Sequence, residues 1–282
     1  MLDITIAIPV KNEEENLKKC LDCIGSDFAK EIIVIDSNST DKTQAIAQSA
    51  NVTLLNFDWN GLYPKKRNWF LQNYNIQTKW VMFLDADEML TKEFKVELAK
   101  TLKGTNKRGF RLQYSVFFLG KKLKGGYPLR KLAVFQTGLG LYEKIEENYW
   151  SNLDMEIHEH LLVEGEIGII KSKIDHYYDR GISHFLHKHN EYSNWEAYLY
   201  YNSINSRNNR EKMTIFQKIK YLLIGTSLLS NLYFLGSFFF MKGFLDGKRG
   251  YIFAKLKAGY FLNIYCKINE LRINNEILND RQ

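Results

Sequence analysis

Short apolar segments alternate with segments of helical spacing in the first hundred residues, and this alternation constrains the fold more than any other feature. The apolar segments occupy residues 4–8, 31–36, 52–57 and 80–84. The segment at 31–36 is continuous and β-branched, as is typical of a parallel strand buried on both faces. Repeated strand–helix units predict a parallel sheet that is covered by helices on both faces.

Polar clusters follow three of these apolar segments directly, at residues 9–13, 36–41 and 85–88. Ligands of such sheets bind outside the carboxyl ends of the strands. We therefore expect three separate strand ends to bring these clusters together at one edge of the sheet. Two helix starts also carry capping residues, because Asn12 has a Glu three positions later and Thr91 precedes a helical segment.

The later part of the chain has a different pattern. Loose alternation over residues 109–175 predicts mixed or antiparallel strands. Helical spacing recurs in residues 181–204, 213–241 and 245–278. The expected fold class is therefore α/β, with a mostly parallel sheet flanked by helices and a helical, apolar and basic C-terminal extension. The expected domains are residues 1–180, with halves at 1–102 and 103–180, and residues 181–282.

The composition excludes several classes of protein. Apolar residues make up 45% and charged residues 25% of the chain, which excludes an intrinsically disordered protein. Three cysteines are too few, and odd in number, for a secreted disulfide framework. The first residues lack the basic flank and the long apolar run of a signal peptide. We therefore expect a cytoplasmic protein, located at the inner face of the cytoplasmic membrane if its C-terminal part contacts lipid.

Charge is unevenly distributed, although the net charge is only +7. Residues 103–131 contain nine basic residues and no acidic one, whereas residues 143–166 contain eight acidic residues and one basic. Such segregation indicates an anionic partner at one face and a functional acidic cluster elsewhere. Solvated surface loops would have the same composition, so both interpretations remain open for each segment.

A third segment, residues 221–241, carries no charge, and as a helix it would extend about 31 Å. Residues 242–272 then contain seven basic and two acidic residues. A basic, aromatic and apolar helical tail favours a segment that lies on an anionic membrane surface, so we expect peripheral membrane contact. A buried or oligomer-forming helix and a membrane-spanning helix are the two alternatives.

The segment FLDADE at residues 83–88 has the strongest chemical signal. Asp85 and Asp87 follow a buried strand, where two carboxylates are costly unless they bind something. Both can reach one hard cation from such a turn, and Mg²⁺ or Mn²⁺ shares oxygen ligands of this kind with substrate phosphates. The alternative is that Asp87 only caps a turn or a helix.

Three segments together resemble the successive signatures of family 2 glycosyltransferases with the GT-A fold. They are IPVKNEE at 8–14, VIDSNSTD at 34–41 and FLDADE at 83–88, and their order and spacing match as well. The segment YPKKRN at 63–68 is similar to the basic segment that faces the donor diphosphate. Two further segments, IHEH at 157–160 and GFLDG at 243–247, resemble the bacterial lipopolysaccharide-core glucosyltransferase branch of that family.

The resemblance implies roles for individual residues. Asp36 would contact the uridine, Lys66 and Arg67 the diphosphate, Asp85 the ribose or the metal, and Asp87 the metal. The whole implied nucleotide-sugar site comprises Pro9, Asn12, Glu13, Asp36, Lys66, Arg67 and Asp85. The implied cofactor is a divalent metal, Mg²⁺ or Mn²⁺, held by Asp87 and Asp85.

This sequence departs from the family pattern at the expected position of the catalytic base. Many family members have a Glu-Asp pair and a later Gln-x-x-Arg-Trp motif, and neither occurs here. His158 and Glu159 occupy the expected stretch, so Glu159 is the candidate base, and an exposed strand carboxylate is the alternative. His158 and His176 are further candidates for the site. One base and one displacement imply inversion at the sugar centre.

The expected function is therefore the inverting, metal-assisted transfer of a hexose from a UDP-sugar to a glycan or lipid-linked acceptor of the cell envelope, of lipopolysaccharide or capsule type. A nucleotidyltransferase is one alternative, but the first strand is not followed by a glycine-rich phosphate loop. A non-enzymatic module that binds a membrane or an anionic polymer through residues 103–131 is the other. We do not expect nucleic acid among the partners.

Overall fold

The computed structural model describes residues 1–145, 147, 151–157, 159–178, 180–204 and 221–279. The chain divides into two compact units. The first comprises Met1–Phe117 with Pro128–Tyr177, and the second comprises Phe118–Tyr127 with Tyr178–Gln282.

Four parallel strands form one half of the main sheet in the first unit. They are β1 (Leu2–Val10), β2 (Ala29–Asp36), β3 (Thr53–Asn56) and β4 (Trp80–Phe83). Strand β1 pairs with both β2 and β4, and β2 pairs with β3, so the order is β3-β2-β1-β4. These are the four strands that the apolar segments predict.

Successive residues of β1 belong to different core clusters, which explains why the strand is apolar on both faces from Ile6 to Val10. Ile4, Ile6 and Ile8 lie in one cluster, whereas Ala7 packs with Phe70 in another, and all five are fully buried. Each fully buried isoleucine stabilises the fold by about 1.5–3 kcal/mol.

The helices of the first unit alternate with its strands. They are α1 (Leu17–Ile24), α2 (Thr43–Ser49), α3 (Lys66–Asn73) and α4 (Lys92–Leu102). The predicted cap of α4 is confirmed, because Thr91 Oγ1 accepts a hydrogen bond from Phe94 N at 3.1 Å.

The predicted cap of α1 is wrong. The helix begins at Leu17, and Asn12 lies upstream of it in a left-handed conformation with φ 55°. Its side chain is used elsewhere, since Asn12 Oδ1 accepts a hydrogen bond from Thr40 N at 2.8 Å. Asn12 therefore joins two loops and does not start a helix.

The other half of the main sheet contains antiparallel pairs, as the alternation over residues 109–175 predicts. Its strands are β5 (Glu88–Met89), β6 (Gly109–Phe118), β8 (Arg130–Gln136) and β11 (Ile167–Tyr178). β8 pairs antiparallel with β4 and β6, and β11 with β5, giving the order β8-β6-β11-β5 beyond β4. A separate two-stranded sheet consists of β9 (Gly140–Tyr142) and β10 (Leu161–Val163). The α/β class with flanking helices is thus confirmed, but the sheet is mixed and not mostly parallel, because β8 pairs antiparallel with both of its neighbours and β5 pairs antiparallel with β11.

The second unit is mainly helical. It contains the short strand β7 (Lys121–Lys122), helices α5 (Gly181–Ile204), α6 (Leu228–Leu235) and α7 (Gly247–Asn279), a π-helical turn at Gly236–Phe240 and a 3₁₀ turn at Gly243–Asp246. The predicted helices at 181–204 and 245–278 are present. The one predicted at 213–241 falls partly outside the described residues, and its described part is interrupted before Leu228.

None of the helices that the structure describes is both long and apolar enough to cross a membrane alone. The segments Leu228–Phe240 and Gly243–Ile277 meet that criterion only together, and they are bent by 71° at the break between them.

A lysine is buried in the second unit without an acidic residue among its described contacts. Lys257 is 9% exposed, and its Nζ lies 3.1 Å from His189 Nε2. Tyr127 and Phe185 place their ring centroids 4.8 and 5.5 Å from the same nitrogen. Burial lowers the pKa of the Lys257 ammonium group to about 7, and repulsion from Lys188 adds to the effect.

This burial predicts that Lys257→Met stabilises the protein at neutral pH. Between pH about 7 and about 10 the unfolded chain binds a proton that the folded chain releases, so wild-type stability rises with pH over that window. The melting temperature of Lys257→Met should exceed that of wild type at pH about 7 by on the order of a few degrees. The difference should shrink toward pH about 10. Lys255→Met, at an exposed lysine of the same helix, is the control. Equal differences at both pH values would contradict the prediction.

Candidate active site

The ends of β1, β2 and β4 lie side by side at the carboxyl edge of the parallel strands. Val10 is in register with Asp36, and Leu84 N donates to Ala7 O at 3.1 Å. Because β1 lies between β2 and β4, Asp36 and the acidic turn after Phe83 flank the same central strand. The three polar clusters therefore meet at one edge, as the strand order requires.

Asp36 organises the loop that follows β2. Its carboxylate is fully buried and accepts hydrogen bonds from Ser39 N at 3.0 Å and Gln44 Nε2 at 2.7 Å, and also from Ser39 Oγ. Buried carboxylates need such donors because desolvation is costly. Asp36, which is predicted to contact uridine, thus stabilises the conformation of the loop that follows it.

The loops after β1 and β2 are joined by hydrogen bonds. Asn12 N donates to Ser39 Oγ, and Glu13 N donates to Thr43 Oγ1, both at 2.8 Å. Glu13 also accepts a hydrogen bond from Asn16 Nδ2 at 2.9 Å. The sequence-predicted residues Asn12 and Glu13 therefore lie beside the loop of Asp36, and Pro9 is buried within β1 just before them.

Asp85 lies between two cations at the end of β4. Its carboxylate accepts from Arg67 Nη2 at 2.7 Å and from Lys131 Nζ at 2.6 Å. The Lys131 ammonium group also contacts Glu88 at 2.6 Å. Burial opposes its charge, but Asp85 and Glu88 outweigh that effect and raise the pKa of Lys131 well above its ordinary value. The ammonium group therefore remains protonated at neutral pH.

Asp87 lies near a histidine from another strand. His176 is in register with Glu88 where β11 pairs with β5, and Tyr177 N donates to Asp87 O at 2.9 Å. This pairing places His176 Nε2 3.8 Å from Asp87 Oδ2 and His176 Nδ1 3.4 Å from Glu88 Oε1. Two sequence candidates that are 89 positions apart thus come together.

Lys66 and Arg67 are largely buried. The side chain of Lys66 is 2% exposed, donates to Val10 O at 2.8 Å and pairs with Asp154 at 3.2 Å. Burial lowers the pKa of the Lys66 ammonium group, although Asp154 partly opposes this shift. Arg67, 10% exposed, contacts Asp85 and has its guanidinium 5.4 Å from the centre of the Tyr142 ring. Both predicted diphosphate contacts are thus buried side chains that pair with acidic residues.

A carboxylate from a distant segment caps the helix that carries these cations. Glu156 Oε2 and Oε1 accept hydrogen bonds from the backbone N–H groups of Arg67 and Asn68, each at 2.9 Å. These N–H groups lie in the first turn of α3, where a helix has no internal partners for them and favours negative charge. Burial raises the pKa of the Glu156 carboxyl group, while these hydrogen bonds and Arg67 work in the opposite direction.

Glu159 lies in a second cluster, formed around Lys65. Lys65 Nζ contacts Glu159 Oε1 at 2.8 Å and also pairs with Glu147. Glu159 Oε2 accepts a hydrogen bond from Ile157 N at 2.9 Å, and the side chain is 2% exposed. All three charged residues line a small cleft, together with Trp59, Gly61, Leu62, Tyr63, Asn68, Glu143, Ile145 and Glu156. The candidate base is thus part of a cleft wall and is held by a lysine.

Several charged residues of the site are not predicted by the sequence. Lys131 appears there only as the last member of a basic segment, and Glu147 only as one acid among eight. Lys65 could have been found from its position beside Lys66 and Arg67. His158, the remaining candidate, lies outside the described residues.

A family model described as Glycosyl transferase family 2 matches residues 5–151, just over half of the chain. An uncharacterized glycosyltransferase of Rickettsia typhi is 24% identical over 280 residues, which are 97% of this chain and 89% of the relative. A second, from Rickettsia conorii, is 27% identical over 200 residues, 69% of each chain. The prophage-derived glycosyltransferase SunS of Bacillus subtilis is 37% identical over 99 residues, 34% of this chain and 23% of SunS.

Among solved structures, glucosyl-3-phosphoglycerate synthase from Mycobacterium tuberculosis, in complex with Mn²⁺, UDP and glucosyl-3-phosphoglycerate, has a TM-score of 0.31 and 22% sequence identity to this chain. The match covers 42% of this chain and 44% of the synthase, less than half of either. The family model extends over the three strand ends that form the edge described above. The chain therefore belongs to glycosyltransferase family 2.

Proposed function

We propose that this glycosyltransferase transfers a hexose from a UDP-sugar to a glycan or lipid-linked acceptor of the cell envelope, of lipopolysaccharide or capsule type, with inversion at the sugar centre. The observation that carries the proposal is the meeting of Asp36, Asp85 and Asp87 at one edge of the parallel strands. The envelope acceptor rests on the similarity of the segments at 157–160 and 243–247 to the lipopolysaccharide-core branch and on the basic, apolar C-terminal part.

The donor would bind along this edge. We assign the nucleoside to the joined loops that carry Asn12, Glu13 and Asp36, and the ribose to Asp85. Backbone and side-chain hydrogen bonds hold these loops in place before the donor arrives. Such preorganisation lowers the entropic cost of binding.

The family implies a divalent metal, and two donor atoms of this chain fit one. Asp87 Oδ2 and His176 Nε2 are 3.8 Å apart, and two ligands at about 2.1 Å from one ion can be separated by up to about 4.2 Å. The described residues hold no group of three or more histidine, cysteine or acidic side chains that could bind a metal. Asp87 and His176 are therefore the residues that would hold the ion. When bound, it would stabilise the charge that develops on the leaving diphosphate.

The assignment of Asp85 as a metal ligand is less favoured, because Arg67 and Lys131 already occupy its carboxylate. Those cations have a role of their own in the reaction. Negative charge develops on the nucleoside diphosphate as the bond to the anomeric carbon breaks, and fixed cations stabilise it. Of the three cations Lys66, Arg67 and Lys131, Lys131 has the most exposed side chain, at 33%. The side chains of Lys66 and Arg67 are only 2% and 10% exposed.

The acceptor hydroxyl must lose its proton as it attacks the anomeric carbon, and a carboxylate within hydrogen-bond reach can take it. We propose Glu159 for this role, because it lines the cleft beside Trp59 and Tyr63. All three candidate carboxylates have partners: both oxygens of Glu156 cap α3, Asp154 pairs with Lys66, and Glu159 pairs with Lys65, which Glu147 also contacts.

Removing the Asp87 carboxylate should abolish metal-dependent donor binding. We expect Asp87→Ala to weaken UDP binding in the presence of Mn²⁺ by at least about tenfold, because one of two protein ligands is lost. Isothermal titration calorimetry with and without Mn²⁺ measures this effect. Asp22→Ala is the matched control, since Asp22 is an exposed acid that pairs only with Lys18 among its described contacts. Unchanged Mn²⁺ dependence in Asp87→Ala would exclude the metal role.

Replacing Glu159 tests the base. We expect Glu159→Gln to reduce the rate of sugar transfer by about 100-fold or more while UDP-sugar binding stays unchanged. The acidic limb of the pH–rate profile should be lost as well, an effect that a purely structural role would not produce. Glu143→Gln, at another carboxylate of the same cleft, is the control. Full transfer by Glu159→Gln would move the base to Asp154 or Glu156.

A further inference from the structure

Large apolar side chains are exposed at a sharp corner of the second unit, where the π-helical turn meets the 3₁₀ turn. Phe240 is 85% exposed, and Phe239, Phe244 and Leu245 are between 48% and 53% exposed. Lys242, at φ 62°, forms the break between the two turns. Single exposed apolar residues are common, but four such residues within seven positions need an explanation.

The segment Phe118–Tyr127 is fixed against this corner by hydrogen bonds. Lys124 N and Gly125 N donate to the Asp246 carboxylate at 2.9 and 3.1 Å. Gly126 N donates to Met241 O at 2.7 Å, and Gly126 O accepts from Ser237 Oγ at 2.6 Å. These bonds hold a lysine-rich loop beside the exposed phenylalanines, although the two are more than 100 positions apart in sequence.

The closeness of this junction depends on glycine. A Cβ atom at Gly125 would lie 2.5 Å from the carbonyl oxygens of both Met241 and Lys242. One at Gly243 would lie 2.8 Å from Ser237 O. Backbone therefore packs directly on backbone, and the loop and the corner form one surface.

The charges of this surface have one sign. Lys121, Lys122, Lys124, Lys242 and Lys248 are exposed. Asp246 is the one acidic residue in the sequence of the segments 118–127 and 236–250. Its carboxylate accepts the two backbone N–H groups of the junction, so its charge is partly compensated within the corner. We call the exposed lysines together with Phe239, Phe240, Phe244 and Leu245 the basic-aromatic corner.

We propose that the basic-aromatic corner docks on the surface of an anionic lipid bilayer. The phenylalanines and Leu245 would enter the boundary between headgroups and acyl chains, and the lysines would contact lipid phosphates. Lysines near an anionic surface are attracted by its negative potential, and this attraction weakens within a Debye length of the surface. The inference does not rest on the proposed donor, metal or base.

A protein partner fits this surface less well. Lysine is depleted in protein–protein interfaces, whereas five exposed lysines belong to this corner. In a symmetric dimer through the same surface, the lysines of both copies would approach one another and repel. A bilayer instead offers an apolar layer and a layer of negative charge together, which matches the pairing of phenylalanines with lysines.

Co-sedimentation with vesicles tests the proposal on the full chain without any donor. We expect binding to vesicles that contain phosphatidylglycerol, little binding to pure phosphatidylcholine, and weaker binding at about 0.5 M than at about 0.1 M salt. The double variant Phe239→Ser/Phe240→Ser should bind anionic vesicles at least about tenfold less. Val96→Ser removes a valine that is 70% exposed on α4, and it should bind like wild type.

A charge variant separates the two contributions. Lys121→Glu/Lys122→Glu should lose most of the preference for phosphatidylglycerol, because it reverses two charges of the corner. Equal binding of wild type and the Phe239→Ser/Phe240→Ser variant would overturn the proposal, as would absence of wild-type binding to anionic vesicles. A wild-type dimer in analytical ultracentrifugation that becomes monomeric in the phenylalanine variant would also overturn it, in favour of a second copy as occupant.

Discussion

The position of the Asp85 carboxylate between Arg67 and Lys131 is the interaction on which the candidate site depends. Three charged groups in a partly dry environment are stable only when each has a partner, since an unpaired one would carry the full cost of desolvation. Arg67 comes from α3, Lys131 from β8 and Asp85 from the end of β4. One carboxylate thus connects the parallel and the antiparallel parts of the main sheet at the edge where the strand ends meet.

The cluster around Lys65 extends the same principle. Lys65, Lys66 and Arg67 are consecutive, yet each pairs with a different set of acids. Consecutive residues at the start of a helix point in different directions, so one short segment can pair with four acidic groups, three from residues 147–159 and one from the end of β4. Residues 65–67 therefore connect different segments of the chain and also supply positive charge.

Much of the parallel half could be predicted from the sequence, because its signals are local. An uninterrupted apolar run, a polar cluster directly after it and a threonine before a helical pattern each act within about ten residues. The acidic turn with Asp85 and Asp87 has a local signal of this kind. The role of Asn12 does not, because its side chain accepts a hydrogen bond from Thr40, 28 positions away, and a local pattern predicts only a helix cap there.

The remaining part of the site depends on pairing between distant strands. His176 reaches Asp87 only because β11 pairs antiparallel with β5, and Lys131 reaches Asp85 only because β8 lies next to β4. Short alternating segments predict that strands exist, but they do not define the order or the register of those strands. For the same reason, the attachment of the lysine-rich loop to the corner around Asp246 has no signature in either segment.

The cap that Glu156 places on α3 has a consequence for binding in the cleft. Residues 154–159 carry both this cap and the candidate base, while α3 carries Arg67, which contacts Asp85. Any displacement of that segment by an arriving acceptor must either break the hydrogen bonds that join it to α3 or move the helix as well. If both substrates bind as proposed, each should therefore change the affinity of the protein for the other, and by the same factor.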